Sequence, residues 1–146
     1  MKPFVIFYSL VCHLAVYGQS TGQLDFTDVK MKVDSVVKII NDSATTSVFS
    51  ANGIAKIGGA YKADCFGKPR TDSIQKIYCS FINDTSLNCS FFYASDSLIR
   101  IDSPKNRYYP IAKKLFNIHG SLADTPISKD YLELGKFIYK FANEEK

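Results

Sequence analysis

The sequence predicts an α+β domain in which an N-terminal helix packs on one face of an antiparallel β-meander. Three observations carry that expectation. Apolar residues recur at helical spacing through Val29, Val33, Val36, Val37 and Ile40. Three alternating segments follow between positions 74 and 102, separated by turn-forming residues. Finally, 46% hydrophobic and 22% charged residues in a chain of 146 describe one ordinary folded domain. A mean hydropathy of -0.06 excludes a disordered tail, a collagen-like repeat and a polytopic membrane protein. The net charge of +4 contains no run of five like charges, so neither a nucleic-acid arm nor a polybasic membrane tether is indicated.

Residues 1–18 read as a signal peptide. Lys2 supplies the positive start, Phe4 to Val16 is uncharged and mostly apolar, and Val16 and Gly18 are small enough to place the cut before Gln19. Thirteen residues fall short of the roughly 20 that a membrane-spanning helix needs, so no transmembrane anchor is expected after cleavage. Ser9, Leu10 and Val11 before Cys12 do not make a lipoprotein box. Residues 19–27 then form a polar leader, and a single domain occupies 28–146. Without its first 18 residues the chain would carry 17 basic and 14 acidic residues, a charge of +3, with three cysteines and one histidine.

Within the domain, Thr27 with Asp28 can cap a helix over 28–41, ended by Asn41-Asp42-Ser43. Val48 and Phe49 open a short strand, Asn52-Gly53 is the sequence pair that most favours a hairpin turn, and Ile54 to Tyr61 returns, with Gly58-Gly59 at a bulge or bend. Asp64 to Asp72 reads as a loop. Strands are expected at about 74–82, 87–94 and 98–102. Their apolar face is Ile77, Cys79, Phe81, Leu87, Cys89, Phe91, Tyr93, Ile99 and Ile101. Lys76, Tyr78, Ser80, Asn88, Ser90, Phe92 and Arg100 face the wetter side. The helix stripe is the available cover for the apolar face. Ile111 to Phe116 is a short amphipathic piece. Residues 129–143 admit two readings. One is a helix capped by Ser128, with Leu134, Phe137, Ile138 and Phe141 on one side; the other is a hairpin turning near Gly135.

Parity also pairs the cysteines. A three-residue turn over Asn83, Asp84 and Thr85 sets 77 opposite 91 and 79 opposite 89, so Cys79 and Cys89 face each other on the apolar side. Either they form a short-loop disulfide, or Cys65, Cys79 and Cys89 are unpaired and serve as small buried hydrophobes. No Cys-x-x-Cys pair stands beside His119, and no metal or other cofactor is expected. Nucleophilic catalysis needs a nucleophile, a base and an orienting group, and the one pairing on offer is Cys65 with His119. The best surface candidate is the basic and aromatic group Lys105, Arg107, Tyr108, Tyr109, Lys113 and Lys114. It could hold an acidic ligand, a glycan or a phosphate, or it could be a solvated strand edge. Sequons stand at Asn41, Asn83 and Asn88 and would matter in a eukaryotic secretory pathway.

The segment Lys76-Ile-Tyr-Cys-Ser-Phe, a turn, then Leu87-Asn-Cys-Ser-Phe-Phe-Tyr-Ala-Ser-Asp-Ser-Leu-Ile-Arg-Ile101 resembles the hairpins of small uncharacterised exported proteins of Bacteroidetes-type bacteria. Tyr17-Gly18-Gln19-Ser20 is similar to the end of their signals, and Leu134 to Tyr139 resembles a degenerate second copy of the hairpin. The resemblance spans about a third of the chain, implies strand pairing and a lean toward the hairpin at 129–143, and carries no functional residue. A cystatin-like inhibitor also joins a helix to an antiparallel sheet, but its Gln-x-Val-x-Gly loop is absent here. These observations together point to a secreted or periplasmic, non-catalytic binding or envelope-associated protein with a protein or envelope partner. The alternatives are a secreted inhibitor or a glycosylated secretory protein, and a small hydrolase built on Cys65 and His119 ranks last.

Overall fold

The computed structural model describes residues 25–43, 45–71 and 73–145, so the signal expected at 1–18 and most of the expected polar leader lie outside the described residues. The first helix, α1 (Phe26–Asp42), starts two residues before its expected position because the Asp25 side chain accepts from the Thr27 backbone N–H at 2.9 Å. Its five-residue apolar stripe is buried as the spacing requires. Seven strands follow: β1 (Thr46–Ala55), β2 (Gly59–Gly67), β3 (Ile74–Phe81), β4 (Cys89–Ala94), β5 (Ser97–Asp102), β6 (Arg107–Ile111) and β7 (Lys114–Asn117). Each pairs antiparallel with its sequence neighbour, in the spatial order β1 to β7, as a meander does. The second helix, α2 (Pro126–Glu144), closes the chain.

The α+β meander is therefore as expected, but the helices divide the two faces differently. The apolar face, with Ile77, Cys79, Phe81, Cys89, Phe91, Tyr93 and Ile101, packs against Tyr131, Leu134, Ile138 and Ala142 of α2. The α1 stripe instead packs on Phe92, Ala94, Ile99 and Tyr109, on the face expected to be wetter. That face is apolar only over β4 to β6, where Ile99 joins it through a register shift between Phe92 and Tyr93. The shift sets Tyr93 across from Leu98 while Phe91 stays across from Ile101.

At 129–143 the structure overturns the hairpin, and with it the second hairpin copy. Thr125 and Ser128 form a reciprocal capping box with Pro126 in the first turn, so the cap is Thr125 rather than Ser128. The buried stripe is Tyr131, Leu134, Gly135, Ile138 and Ala142, which leaves Phe137 60% exposed and Phe141 at the surface. Gly135 is not a turn residue. It lets the helix approach the sheet, for a Cβ there would lie 2.6 Å from Phe91 Cδ1.

Asn52-Gly53 is likewise no turn. Both residues lie within β1, and Gly53 pairs with Tyr61, whose ring occupies the space a Gly53 Cβ would take, 2.6 Å away. The hairpin instead turns at Lys56, Ile57 and Gly58, with Gly58 at φ +70°. As a result β2 runs through the expected loop as far as Gly67. Two further hairpins use two-residue turns with both residues left-handed, Ser95-Asp96 and Ala112-Lys113. The second of these converts the expected amphipathic piece 111–116 into the β6–β7 hairpin.

Candidate functional site

Of the surface group singled out from the sequence, the structure brings together Arg107 and Tyr109, which share a side-chain hydrogen bond, and separates the rest. Tyr108 and Tyr109 are adjacent on β6 and so point to opposite faces, Tyr108 into the α2 cluster and Tyr109 into the α1 cluster. Lys105 lies in the β5–β6 turn and Lys113 in the β6–β7 turn, at opposite ends of β6 and so roughly 17 Å apart along a five-residue strand. Arg107 pairs with Asp102 at 3.2 Å. The basic-aromatic group thus divides between two cores, an ion pair and separate exposed lysines. Cys65 is buried on β2 while His119 is exposed beyond β7, five strand spacings or about 24 Å across the sheet, so they form no dyad.

Cys79 and Cys89 are cross-strand partners, as parity requires, and each is an unbridged buried thiol. The contact with Cys79 and burial in the α2 core push the Cys89 thiol far above the ordinary range, which keeps it protonated and unreactive. Among the sequons, Asn41 accepts from Lys76 Nζ at 3.1 Å and Asn83 lies exposed in the β3–β4 connection. Asn88 is structural: its Oδ1 accepts from the Phe81 backbone N–H at 2.8 Å, and its Nδ2 donates to the Tyr78 hydroxyl. It satisfies the Phe81 N–H, while Leu87 sits in the short 3-10 turn Thr85–Leu87.

The charged chemistry gathers elsewhere, under α1. Arg100, 6% exposed, donates from Nε and one terminal nitrogen to both oxygens of Asp102 and from the other to Asp34 Oδ1 at 3.0 Å. The guanidinium lies 5.2 Å from the centre of the Phe92 ring. The Tyr109 hydroxyl donates to Asp34 Oδ1 at 2.8 Å, and Lys30 reaches Asp34 Oδ2 at 3.1 Å. Arg100, Lys30 and Arg107 against Asp34 and Asp102 leave one net positive charge (3 − 2 = +1). Position 100 reads as an outward polar residue from periodicity. The Phe92-Arg100 register partnership with Asp34 on the stripe's flank is a tertiary fact that no local pattern records.

Burial opposes ionisation of Asp34, but the hydrogen bonds from Tyr109 and Lys30 and the charges of Lys30 and Arg100 outweigh it, holding the carboxyl below the usual range. Burial first, then the Asp34 contact, pushes the Tyr109 phenol up to about 12. A carboxyl depressed in the folded state contributes stability that is present above its unfolded value, near pH 4, and lost as pH falls through the folded value. Asp34→Asn should therefore flatten the acid limb of the stability curve below about pH 4. Urea unfolding at pH 3 and pH 6 measures it, and an unchanged difference between the two pH values would remove Asp34 from the acid response.

The other distinctive region is the half of the outer face that α1 leaves uncovered. The register lays side chains in rows across β1, β2 and β3. Ile54 pairs with Ala60, and Ile82 follows alongside, its N–H bonded to the Ala60 carbonyl. Asn52, Lys62 and Ser80 form the next row, then Ser50, Asp64 and Tyr78. Ile54 is 87% exposed and Ile82 69%, so the first row is an apolar tip. The polar rows satisfy themselves, with Ser50 donating to Asp64 at 2.7 Å and Lys62 paired to the same carboxylate at 3.1 Å. The Ser50 bond is the main reason that the Asp64 carboxyl sits below its ordinary range.

No family model matches the chain, and neither a curated protein nor a solved structure is found to match it. Among the described residues no helix is long and apolar enough to cross a membrane, and no three His, Cys, Asp or Glu residues are grouped to hold a metal ion.

Proposed function

We propose that this chain is an exported, non-catalytic protein-binding module, directed to a secreted, periplasmic or envelope location by residues 1–18, and that it binds through the uncovered face of β1 to β3. The observation that supports this is the exposed row Ile54, Ala60 and Ile82 bordered by self-satisfied polar rows. Apolar surface rimmed by polar residues, with no unpaired charge to desolvate, is what a protein partner can bury at least cost. The charged cluster under α1 does a different job: its two acids are both paired, and Arg100 and Tyr109 of the sheet bind Asp34 of the helix.

The test has two parts. Expressed in its native compartment, the full chain should be recovered with Gln19 as its first residue, and a chemical crosslinker should trap it with a protein partner. Ile54→Lys with Ile82→Lys should abolish the adduct while the circular dichroism spectrum and melting temperature stay as in the wild type. Adducts unchanged in that variant would overturn the face assignment, and recovery of the uncut chain would overturn export.

The secreted-inhibitor reading draws on the same tip, since Ile54 and Ile82 lie at the end of the sheet beside Gly58-Gly59. The hairpin loop itself turns Ile57 inward, where it is buried, so it offers no apolar finger of the kind that enters a protease cleft. Should the chain pass through a eukaryotic secretory pathway, Asn83 is the best presented of the three sequons, because the Asn88 amide already serves Tyr78 and Phe81.

A further inference from the structure

The two edges of the sheet are finished differently. β7 is four residues long, begins with Lys114, and is overlaid by the chain that follows it: Phe116 bridges to Leu122, and the Ala123 N–H donates to the Leu115 carbonyl at 2.7 Å. These are the usual protections of an exposed edge. β1 is ten residues long and contains no proline, and residues 43–55 include no ionisable side chain. Its one irregularity is the register shift between Ser47 and Phe49, which leaves Phe49 to Ala55 regular and, among the described residues, unpaired on the outer side. Beside this strand on the α2 face, Phe49 packs on Phe141 with ring centres 6.0 Å apart, and Phe141 stacks on the exposed Phe137 at 6.3 Å.

We propose that β1 is a self-association edge, on which a second copy of this chain pairs its own β1 antiparallel about a two-fold axis perpendicular to the sheet. Three features favour a second copy over a foreign strand. A two-fold there is self-complementary, since it keeps both α2 helices on one side and sets the Phe49, Phe137 and Phe141 cluster of each copy at one end of the seam, against the Ala55 end of the other. In a chain of charge +4, residues 43–55 bring no like charges together, and the cations beside them, Lys56 and Lys62, are already paired with Asp130 at 3.2 Å and Asp64 at 3.1 Å. The area fits a weak assembly. Seven regular residues at about 3.4 Å each, across a sheet about 10 Å thick, give roughly 240 Å² per copy before the phenylalanines are added. The roughly 480 Å² of the two copies together is below the roughly 1,200 Å² total at the low end of standard interfaces. The dimer should be transient, with a dissociation constant on the order of 10–100 μM.

Sedimentation equilibrium of the purified chain at roughly 5 to 500 μM, a range that brackets that constant, tests the proposal. The expected result is a concentration-dependent shift from monomer to dimer. Asn52→Lys, which places a cation on the exposed edge, and separately Phe137→Lys on α2 should each weaken dimerisation at least tenfold with melting temperature at low concentration unchanged. Amide exchange at the two extremes should show alternate amides between Phe49 and Ala55 gaining protection in the dimer. A monomer throughout the range overturns the proposal, as does a dimer indifferent to both substitutions. Because no other protein is present, either outcome is independent of whether the outer face of β1 to β3 binds a partner.

Discussion

Gly135→Ala should destabilise the protein by about 2 kcal/mol, although alanine is the better helix former by about 1 kcal/mol. Gly135 lies in the middle of α2 and faces the sheet, with the Phe91 ring 2.6 Å from where a Cβ would stand and no room for Phe91, itself fully buried, to withdraw. The carbonyl of Gly135 also accepts from the Tyr93 hydroxyl at 2.8 Å, a buried bond that a displaced helix would stretch. Tyr93 in turn stacks on Tyr139 at 4.3 Å, and Tyr139 donates to Asp96 in the β4–β5 turn, so a shift of α2 is felt along its length. Thermal unfolding should show a fall of roughly 8 °C, taking about 4 °C per kcal/mol for a domain of this size. Phe91→Leu, which removes the ring edge, should cost less in the Gly135→Ala background than alone, with a coupling of about 1 kcal/mol. A melting temperature raised by Gly135→Ala would mean that α2 does not sit this close.

The same glycine shows where a local reading of this chain stops. Wherever one face is buried, the two-residue period of a strand is enough, which is why Cys79 meets Cys89 as parity requires, whereas Phe91 meets Ile101 only through the register shift between Phe92 and Tyr93. Glycine is ambiguous in that reading because it serves two physical ends. Gly135 and Gly53 are there for close approach, to Phe91 and to Tyr61, whereas Gly58 supplies the positive φ of a turn and also leaves room for Phe81 and Leu87. The left-handed turn Ser95-Asp96 is legible from its turn-forming residues, but Ala112-Lys113 carries no such signature, so the β6–β7 hairpin is hidden. The side of the sheet taken by α1 was hidden too. Lys76, Arg100 and Tyr78 make that face look wet, and only the three-dimensional pairing of Arg100 with Asp34 and Asp102 makes half of it suitable for burial. The basic-aromatic group failed for the complementary reason: its tyrosines, adjacent in sequence on a strand, must part to opposite faces. The uncovered half-face follows from α1 packing on Phe92, Ala94, Ile99 and Tyr109 alone, and the β1 edge from its place at the end of the strand order.

Arg100→Met carries the second large effect. Methionine fills much of the volume over Phe92, so the change isolates the charge. Without the guanidinium, Asp102 loses both of its bonds to Arg100 and Asp34 loses one of its partners, while Lys30, Arg107 and Tyr109 remain. Breaking a fully buried ion pair costs about 3–5 kcal/mol, but both carboxylates keep 28% of their side-chain surface in water, so about 2–3 kcal/mol is expected. Two signatures separate this from a packing defect. The loss should shrink as pH falls below about 4, because a protonated Asp34 needs no cation, which is the sign required for a carboxyl whose folded value is depressed. It should also persist at 1 M salt, since a guanidinium 8% exposed is little screened. Adding Asp34→Leu to Arg100→Met should restore part of the stability by removing one of the stranded charges. Urea unfolding across the four proteins of the cycle decides it. A cost independent of pH, or a double variant worse than the sum of the singles, would show that α1 is held by its valine stripe alone. The acids and bases would then be bystanders at a seam that apolar packing already closes.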